Sequence, residues 1–236
     1  APLEPQHRQW RSYYLAALGR PDEAMAEAEH AVRLAPNDYS AAITLAGVAY
    51  WSGRFTEALV FCERAATMAG HTPVPLLFQH YSLHALGRTA EARQLFEQLK
   101  VAIPDEPIIV SMTAVYASAD GRRDEARRLL DQLALRDRSS FVEPMYVAAG
   151  YAAIGDMEAA SHWLQQARDA HSALLPMIAV DPVWRPFLDD PRVRAVLAAL
   201  NLAPRVGHGH GVGPARHRHR LRGAGNLCLG AACRIR

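Results

Sequence analysis

The chain has little that would indicate a membrane or an oxidising compartment. Among its 236 residues, Lys100 is the only lysine and only three residues are cysteine: Cys62, Cys228 and Cys233. Three cysteines do not suggest a disulfide framework, and Cys62 lies on an apolar helical face. No apolar run approaches the roughly 18 to 20 residues needed to cross a bilayer. We therefore expect a cytoplasmic protein without a membrane partner.

Motifs that carry catalysis are also missing. The chain has no glycine-rich phosphate loop, no nucleophile elbow and no paired-histidine zinc motif. Acidic residues do recur at a constant spacing, at Glu23, Glu57, Glu91 and Glu125. This pattern is typical of solvated helix starts favoured by the helix dipole, and not of acid–base pairs. The sequence therefore predicts no catalytic residue, no metal site and no cofactor, so the protein is not expected to be an enzyme.

What the chain does have is a repeat of constant period. Glycines recur at one fixed interval: Gly19, Gly53, Gly87, Gly121 and Gly155. An alanine follows each glycine at the fifth position: Ala24, Ala58, Ala92, Ala126 and Ala160. We call the interval from one of these glycines to the next the repeat period. A fixed period of this size, with small residues in register, is typical of a solenoid of helical hairpins.

The second repeat shows the pattern of one hairpin. A helix is predicted from about Tyr39 to Trp51, a turn at Gly53 and a return helix from Phe55 to Ala69. Apolar residues cover much of the first helix, so it should be contacted on two sides. Because every repeat has alanine at the position of Ala58, the two helices are expected to approach each other closely there.

The same reasoning divides the whole chain. We expect five hairpins at about residues 5–35, 38–69, 73–102, 106–136 and 140–171. Residues 172–203 break the period, as a C-terminal capping region should. In this region Asp181-Pro182 and Asp190-Pro191 each supply an N-cap and a first-turn proline. We expect its apolar residues to cover the exposed end of the solenoid.

The tail, residues 204–236, differs in composition from the rest. It contains seven arginines and no acidic residue, so residues 1–203 carry a formal charge of about −5. Its interleaved glycines predict disorder. One alternative is that its histidines, cysteines and arginines contact a metal ion or nucleic acid. Another is that the segment after Ala203 is translated out of frame.

The repeat resembles the tetratricopeptide repeat over about residues 5–171. Beyond the glycines and alanines, the twelfth position after each glycine is filled by Ala31, Ala65, Leu99, Leu133 and Ala167. A closing proline is present at Pro36 and Pro104. The resemblance implies an all-α, right-handed superhelical solenoid that acts as a non-catalytic scaffold for a protein or peptide.

The capping region resembles a more specific group. The segment from Ala179 to Leu202 looks like the C-terminal end of tetratricopeptide regions in larger bacterial signalling proteins. These include winged-helix transcription regulators, nucleotide cyclases and serine/threonine kinases. The alternative function is therefore the regulatory or sensor part of such a protein. Because the chain begins at Ala1 close to a helix that already belongs to the repeat, we expect it to be a fragment of a longer protein.

The resemblance also places a candidate binding surface. Tetratricopeptide arrays usually bind along the concave face, which the first helix of each hairpin forms. Carried over by spacing, this face comprises Trp10, Tyr13, Tyr50, Trp51, Phe78, Tyr81, His84, Met112 and Tyr146. The strip is aromatic and nearly uncharged, which implies an apolar or helical protein ligand rather than a free carboxylate. Nucleic acid is not the expected partner.

Four of these side chains are expected to be exposed anchors for the ligand: Tyr50, Trp51, Tyr81 and Tyr146. The alternative is that the aromatic residues pack hairpin against hairpin, because only an exposed and contiguous patch would indicate binding.

Overall fold

The computed structural model describes residues 4–68, 72–136 and 141–202, and no strand occurs within these ranges. The first ten helices are α1 Glu4–Ala17, α2 Pro21–Leu34, α3 Tyr39–Trp51, α4 Phe55–Met68, α5 Val74–Ala85, α6 Thr89–Ala102, α7 Pro107–Ala119, α8 Arg123–Arg136, α9 Pro144–Ala153 and α10 Met157–Asp169. Two 3-10 helices and a last α-helix follow: Leu175–Ala179, Pro182–Phe187 and α11 Pro191–Ala199. Helices α1 to α10 form five successive packed pairs. This architecture confirms the predicted all-helical fold of five hairpins. The predicted tail, residues 204–236, lies outside the described residues.

Each hairpin turns at one of the five periodic glycines. All five have a positive φ angle, between 66° and 87°. At Gly53 the backbone N–H donates to the carbonyl oxygen of Tyr50 at 3.0 Å, and the N–H of Arg54 donates to the carbonyl oxygen of Ala49 at 2.9 Å. This pair of bonds is the Schellman motif, which satisfies the last carbonyls of a helix. A Cβ on Gly53 would meet no atom within 4 Å, so the turn requires glycine for its backbone angle and not for space.

A salt bridge recurs at the start of the second helix in four hairpins. The arginine that follows the glycine pairs with the glutamate at the third position after it: Arg20–Glu23, Arg54–Glu57, Arg88–Glu91 and Arg122–Glu125. Exposed pairs of this kind contribute little to stability. The periodic acids are thus paired helix-start residues.

The inward face of each second helix is completely buried. The five periodic alanines have no exposed surface, and the fourth and seventh residues after each of them are buried as well. These positions lie on one side of a helix, so they form a continuous contact with the first helix of the hairpin. Cys62 belongs to this face, and burial raises the pKa of its thiol to about 12. It is a packing residue and not a reactive thiol.

The hairpins stack by packing the first helix of each against the hairpin before it, and through ion pairs near their turns. Tyr81 of α5 packs against all three clusters of buried apolar residues that make up the core. The guanidinium of Arg93 on α6 pairs with Asp120 at the next turn at 2.6 Å, and Arg127 on α8 pairs with Asp156 in the same way. The core therefore runs along the array from hairpin to hairpin.

The C-terminal region covers the end of the array, as expected, and part of it also lies on the inner surface, which the sequence did not indicate. On α11, the buried side chains of Val193 and Leu197 join the apolar cluster of the last hairpins, and the helix packs against α10. Both predicted N-caps are present, since Asp181 accepts from the N–H of Val183 and Asp190 accepts from that of Arg192. The two 3-10 helices, however, lie on the inner surface, where they contact α9, α10 and, at the other end of the chain, α1.

Enlarging a periodic alanine should destabilise the hairpin. Ala92 has no exposed surface, so Ala92→Leu should lower the free energy of unfolding by about 1–3 kcal/mol through overpacking. Ala90→Leu, at an exposed position on the same helix, is the control and should have little effect. Urea denaturation measures both variants. Equal stability of the two would contradict the close approach of the helices at Ala92.

Candidate functional site

The inner surface of the array contains a cavity of about 230 Å³, which is called the inner cavity below. Helices α3, α5, α7 and α9 supply one part of its lining. The C-terminal region supplies the rest through Leu174, Met177, Ile178, Asp181, Val183 and Trp184. The concave face expected from the sequence is therefore partly covered by the chain itself.

Six of the nine predicted site residues line the inner cavity: Tyr50, Trp51, Phe78, Tyr81, Met112 and Tyr146. The other three, Trp10, Tyr13 and His84, do not. The expectation that Tyr50 is an exposed anchor is wrong, because only 1% of this residue is exposed. Trp51, Tyr81 and Tyr146 are partly buried. The predicted binding role of these side chains stays a prediction.

Asp181 joins the C-terminal region to α3 and is the one charged residue among the described residues that line the inner cavity. The hydroxyl of Tyr50 donates to its Oδ1 atom at 2.9 Å, and the indole Nε1–H of Trp51 donates to Oδ2 at 3.1 Å. The backbone N–H of Val183 also donates to Oδ1, at 2.9 Å. Both carboxyl oxygens are thus engaged by groups of the same chain.

Burial governs the electrostatics of this contact. It raises the pKa of the Asp181 carboxyl group, and the hydrogen bonds from Val183, Trp51 and Tyr50 oppose this rise. The pKa of Tyr50 lies well above its usual value, first because of burial and then because of the adjacent carboxyl group. Tyr50 therefore keeps its proton at neutral pH and acts as the donor to Asp181, and the contact is structural in character.

Aromatic rings surround this contact on the side of the first three hairpins. Trp51 packs edge to face with Tyr13 and with Phe78, with ring centroids 5.5 Å apart in both cases. The rings of Tyr50 and Tyr81 are 5.9 Å apart. Tyr13 lies outside the cavity lining, and its hydroxyl donates to Oγ1 of Thr44 on α3 at 3.3 Å. Part of the predicted strip therefore does pack hairpin against hairpin, as the alternative interpretation required.

His84 belongs to a buried polar cluster between α5 and α7. The Nε2 atoms of His80 and His84 lie 2.9 Å and 2.8 Å from the hydroxyl oxygen of Tyr116. A hydroxyl group has one proton to donate, so one ring accepts it and the other donates its own N–H. The Nδ1 atom of His80 is buried without a partner. Because a buried N–H without a partner is rarer than an unpaired acceptor, we assign the donating Nε2–H to His80.

Comparison with protein families decides what kind of array this is. Two family models match the chain, both described as tetratricopeptide repeat, one over residues 15–72 and the other over residues 81–98 and 110–132. The chain is a tetratricopeptide-repeat protein. No curated protein matches it. Both matches end before the C-terminal region, so the resemblance of that region to bacterial signalling proteins stays a hypothesis.

Membership in the tetratricopeptide-repeat family gives the chain a general role. Such repeats mediate protein–protein interaction and are typically non-catalytic, so the chain is a protein-interaction scaffold. Within the described ranges, no helix combines the length and the apolar character that spanning a membrane requires. The same ranges contain no group of three or more side chains able to hold a metal ion. The histidines and cysteines of the tail lie outside them.

Sequence reasoning did not find the part of the inner cavity that comes from the C-terminal region of this tetratricopeptide-repeat protein, six of the eighteen lining residues. The Asp181-Pro182 pair was recognisable as a helix cap, and it does cap the second 3-10 helix. Its additional bonds to Tyr50 and Trp51 join residues 131 and 130 positions apart. No local pattern indicates a contact over that distance.

Removing the Tyr50 hydroxyl should destabilise the protein. Tyr50→Phe deletes a donor to a buried carboxyl group, so we expect the free energy of unfolding to fall by about 1–3 kcal/mol in urea denaturation. Tyr14→Phe is the control, since 65% of Tyr14 is exposed. A loss of the same size in both variants would show that the contact with Asp181 is not responsible.

The buried histidines should make the protein sensitive to mild acid. Burial lowers the pKa of His80 to about 3, with a further contribution from His84, and lowers the pKa of His84 to about 4. In the unfolded chain a histidine has a pKa of about 6.5, so between these values the unfolded state binds more protons. Stability should therefore fall as the pH decreases below about 6.5, by up to about 1.4 kcal/mol per pH unit for each histidine.

Urea denaturation at pH 7.5, 6.5 and 5.5 tests this dependence. The decline should be shallower in His84→Gln, which keeps an acceptor for the Tyr116 hydroxyl without a titratable ring. His162→Gln, at an exposed position, should show the parent's decline. If all three proteins respond equally to pH, the buried histidines are not the cause.

Proposed function

We propose that this tetratricopeptide-repeat scaffold binds apolar side chains of a partner protein or peptide in the inner cavity, without catalysing a reaction. The observation that carries the proposal is the composition of the cavity lining. Aromatic and aliphatic side chains of four repeats and of the C-terminal region converge on one concave space of about 230 Å³. Concave sites lined mainly by apolar and aromatic groups are the usual form of a binding pocket.

The polar groups of the lining support an apolar ligand. Asp181 already accepts three hydrogen bonds, and Tyr50 and Trp51 are two of the donors. The hydroxyl of Ser111 donates to the carbonyl oxygen of Tyr146 at 2.7 Å. These groups are satisfied within the chain, so a ligand gains most from apolar contact. The lining contains no arginine, lysine or asparagine among the described residues that would hold the carboxylate of a peptide C-terminus.

The position of the C-terminal region limits how much of a ligand can enter the inner cavity. Both 3-10 helices lie on the inner surface, where an open array would receive a helix. With these segments in place, the proposed ligand inserts one or a few apolar side chains and does not lay a whole helix along the groove. In many protein interfaces a few anchor side chains that fill buried pockets supply most of the binding energy.

Filling the inner cavity should abolish this binding. Ala149 lines the cavity and is partly buried, so Ala149→Phe places a ring in the space without removing a hydrogen bond. Peptides selected from a random phage-displayed library against the parent protein supply the probe, and fluorescence polarisation measures their affinity. We expect Ala149→Phe to weaken binding at least tenfold, about 1.4 kcal/mol.

Ala66→Phe is the matched control, because Ala66 is exposed on α4, which does not line the cavity. It should bind the selected peptides as tightly as the parent does. If the peptides bind Ala149→Phe with the parent's affinity, or if selection gives no peptide that depends on the cavity, the proposed site is wrong.

A further inference from the structure

One side of α1 presents an apolar stripe to solvent. Trp10, Tyr14 and Leu18 follow one another at every fourth position and therefore lie along one side of the helix and its end. Their exposed fractions are 49%, 65% and 49%. Single exposed apolar residues are common, but a contiguous stripe at helical spacing is a feature that calls for a partner. We call these three residues the α1 stripe.

Trp10 is the first residue of the α1 stripe, and the equivalent residues in other repeats show which surface this position contacts. In the second hairpin Thr44 stands one repeat period after Trp10, and its Oγ1 accepts a hydrogen bond from Tyr13 of the first hairpin. In the third hairpin the equivalent residue is Phe78, whose ring would lie only 3.0 Å from a Cβ on Gly47 of the second hairpin. In both repeats this position packs against the preceding hairpin.

The next two repeats follow the same rule. Met112 occupies the position in the fourth hairpin, and its sulfur accepts from the hydroxyl of Tyr81 in the third at 3.9 Å. Tyr146 occupies it in the fifth hairpin, and its carbonyl oxygen accepts from Ser111 in the fourth. All four equivalents of Trp10 thus contact the hairpin before their own.

The position of Tyr14 is buried in all the other repeats. Its equivalents are Val48, Ser82, Tyr116 and Gly150, all of which are buried. Tyr116 stacks on Phe96 of the preceding hairpin, with ring centroids 4.3 Å apart. A Cβ on Gly150 would collide with Leu130 of the preceding hairpin. Tyr14 is thus a large aromatic residue, exposed at a position that every other repeat buries.

We propose that a further helical hairpin of the same repeat type covers the α1 stripe, and that it precedes α1 in the same polypeptide. A terminal repeat normally shows a polar outer face to solvent. The α1 stripe is instead aromatic and aliphatic, and its members Trp10 and Tyr14 stand in the register of an internal joint. The inference continues an interface that four repeats of this chain already show, and it does not depend on the inner cavity.

A second copy of this chain is a poorer occupant. To stack on α1 in the repeat register, it would have to present the free side of its last hairpin. In this chain α11 packs against α10 there, and the buried Val193 and Leu197 take up the contact. The matching surface is therefore already covered within each molecule.

The reading frame upstream of the Ala1 codon provides the first test. We expect it to remain open and to encode a glycine one repeat period before Gly19 and an alanine one repeat period before Ala24, as in the other repeats. An initiation codon directly upstream, or an upstream sequence without this register, would overturn the proposal.

Thermal denaturation of a protein that begins one repeat earlier provides the second test. In it Tyr14→Glu would place a charge in a packed joint, so we expect its Tm to fall by at least about 4 °C. In the present chain the same substitution should leave the Tm nearly unchanged. Val60→Glu is the control in both proteins, because Val60 is 58% exposed on α4 and outside the stripe.

Light scattering separates this occupant from a second copy. If the present chain is a dimer that Tyr14→Glu dissociates, a second copy covers the stripe and the proposal is wrong. A Tm of the longer protein that does not respond to Tyr14→Glu would also overturn it. Peptide binding to the inner cavity should be the same in Tyr14→Glu and the parent, so failure of this proposal is distinguishable from failure of the proposed function.

Discussion

The structure depends on the close approach of two helices at one alanine in every repeat. The residues at these five positions have no exposed surface, so the second helix of each hairpin packs closely against the first at this point. The left-handed glycine at each turn keeps the connection short and of constant length. A similar hairpin in every repeat places residues one repeat period apart at related positions, while the packing between neighbouring hairpins differs, since α2–α3 and α4–α5 pack much more extensively than α6–α7. Both the inner surface and the joints between hairpins follow from this one constraint.

The C-terminal region turns that inner surface from an open groove into a cavity. It does so with apolar side chains and with one carboxyl group, Asp181. Burying a carboxyl group is unfavourable unless its oxygens are hydrogen-bonded, and three donors meet this requirement. Two of the donors belong to α3, so the contact specifies where the C-terminal region lies as well as stabilising it. Some of the aromatic residues that the sequence assigned to ligand binding, Tyr50 and Trp51, thus bind the chain's own C-terminal region instead.

The sequence was sufficient to predict the architecture, because glycine turns, alanine contacts and helical spacing are local and repeat five times. It was also sufficient to place six of the nine candidate residues at the inner cavity, since the period carries one face from repeat to repeat. It did not predict which of them are buried. Tyr50 and His84 lie on the same helices as more exposed neighbours. His84 is hydrogen-bonded to Tyr116 of the next repeat, whereas Tyr50 is hydrogen-bonded to Asp181, 131 positions away in the chain. Contacts of this kind leave no periodic signature.

The contact between the two ends of the array changes how its stability is organised. In a simple repeat protein each hairpin touches only its neighbours, so the total stability is a sum of local terms. Here the first 3-10 helix touches α1, and Asp181 holds Tyr50 and Trp51, so the last residues of the array support the first two hairpins directly. A substitution that perturbs the C-terminal region should therefore affect the packing of the first two hairpins as well as that of the last. The inner cavity is lined both by α3 and by the C-terminal region, which Asp181 joins, so a ligand of the proposed kind would contact both.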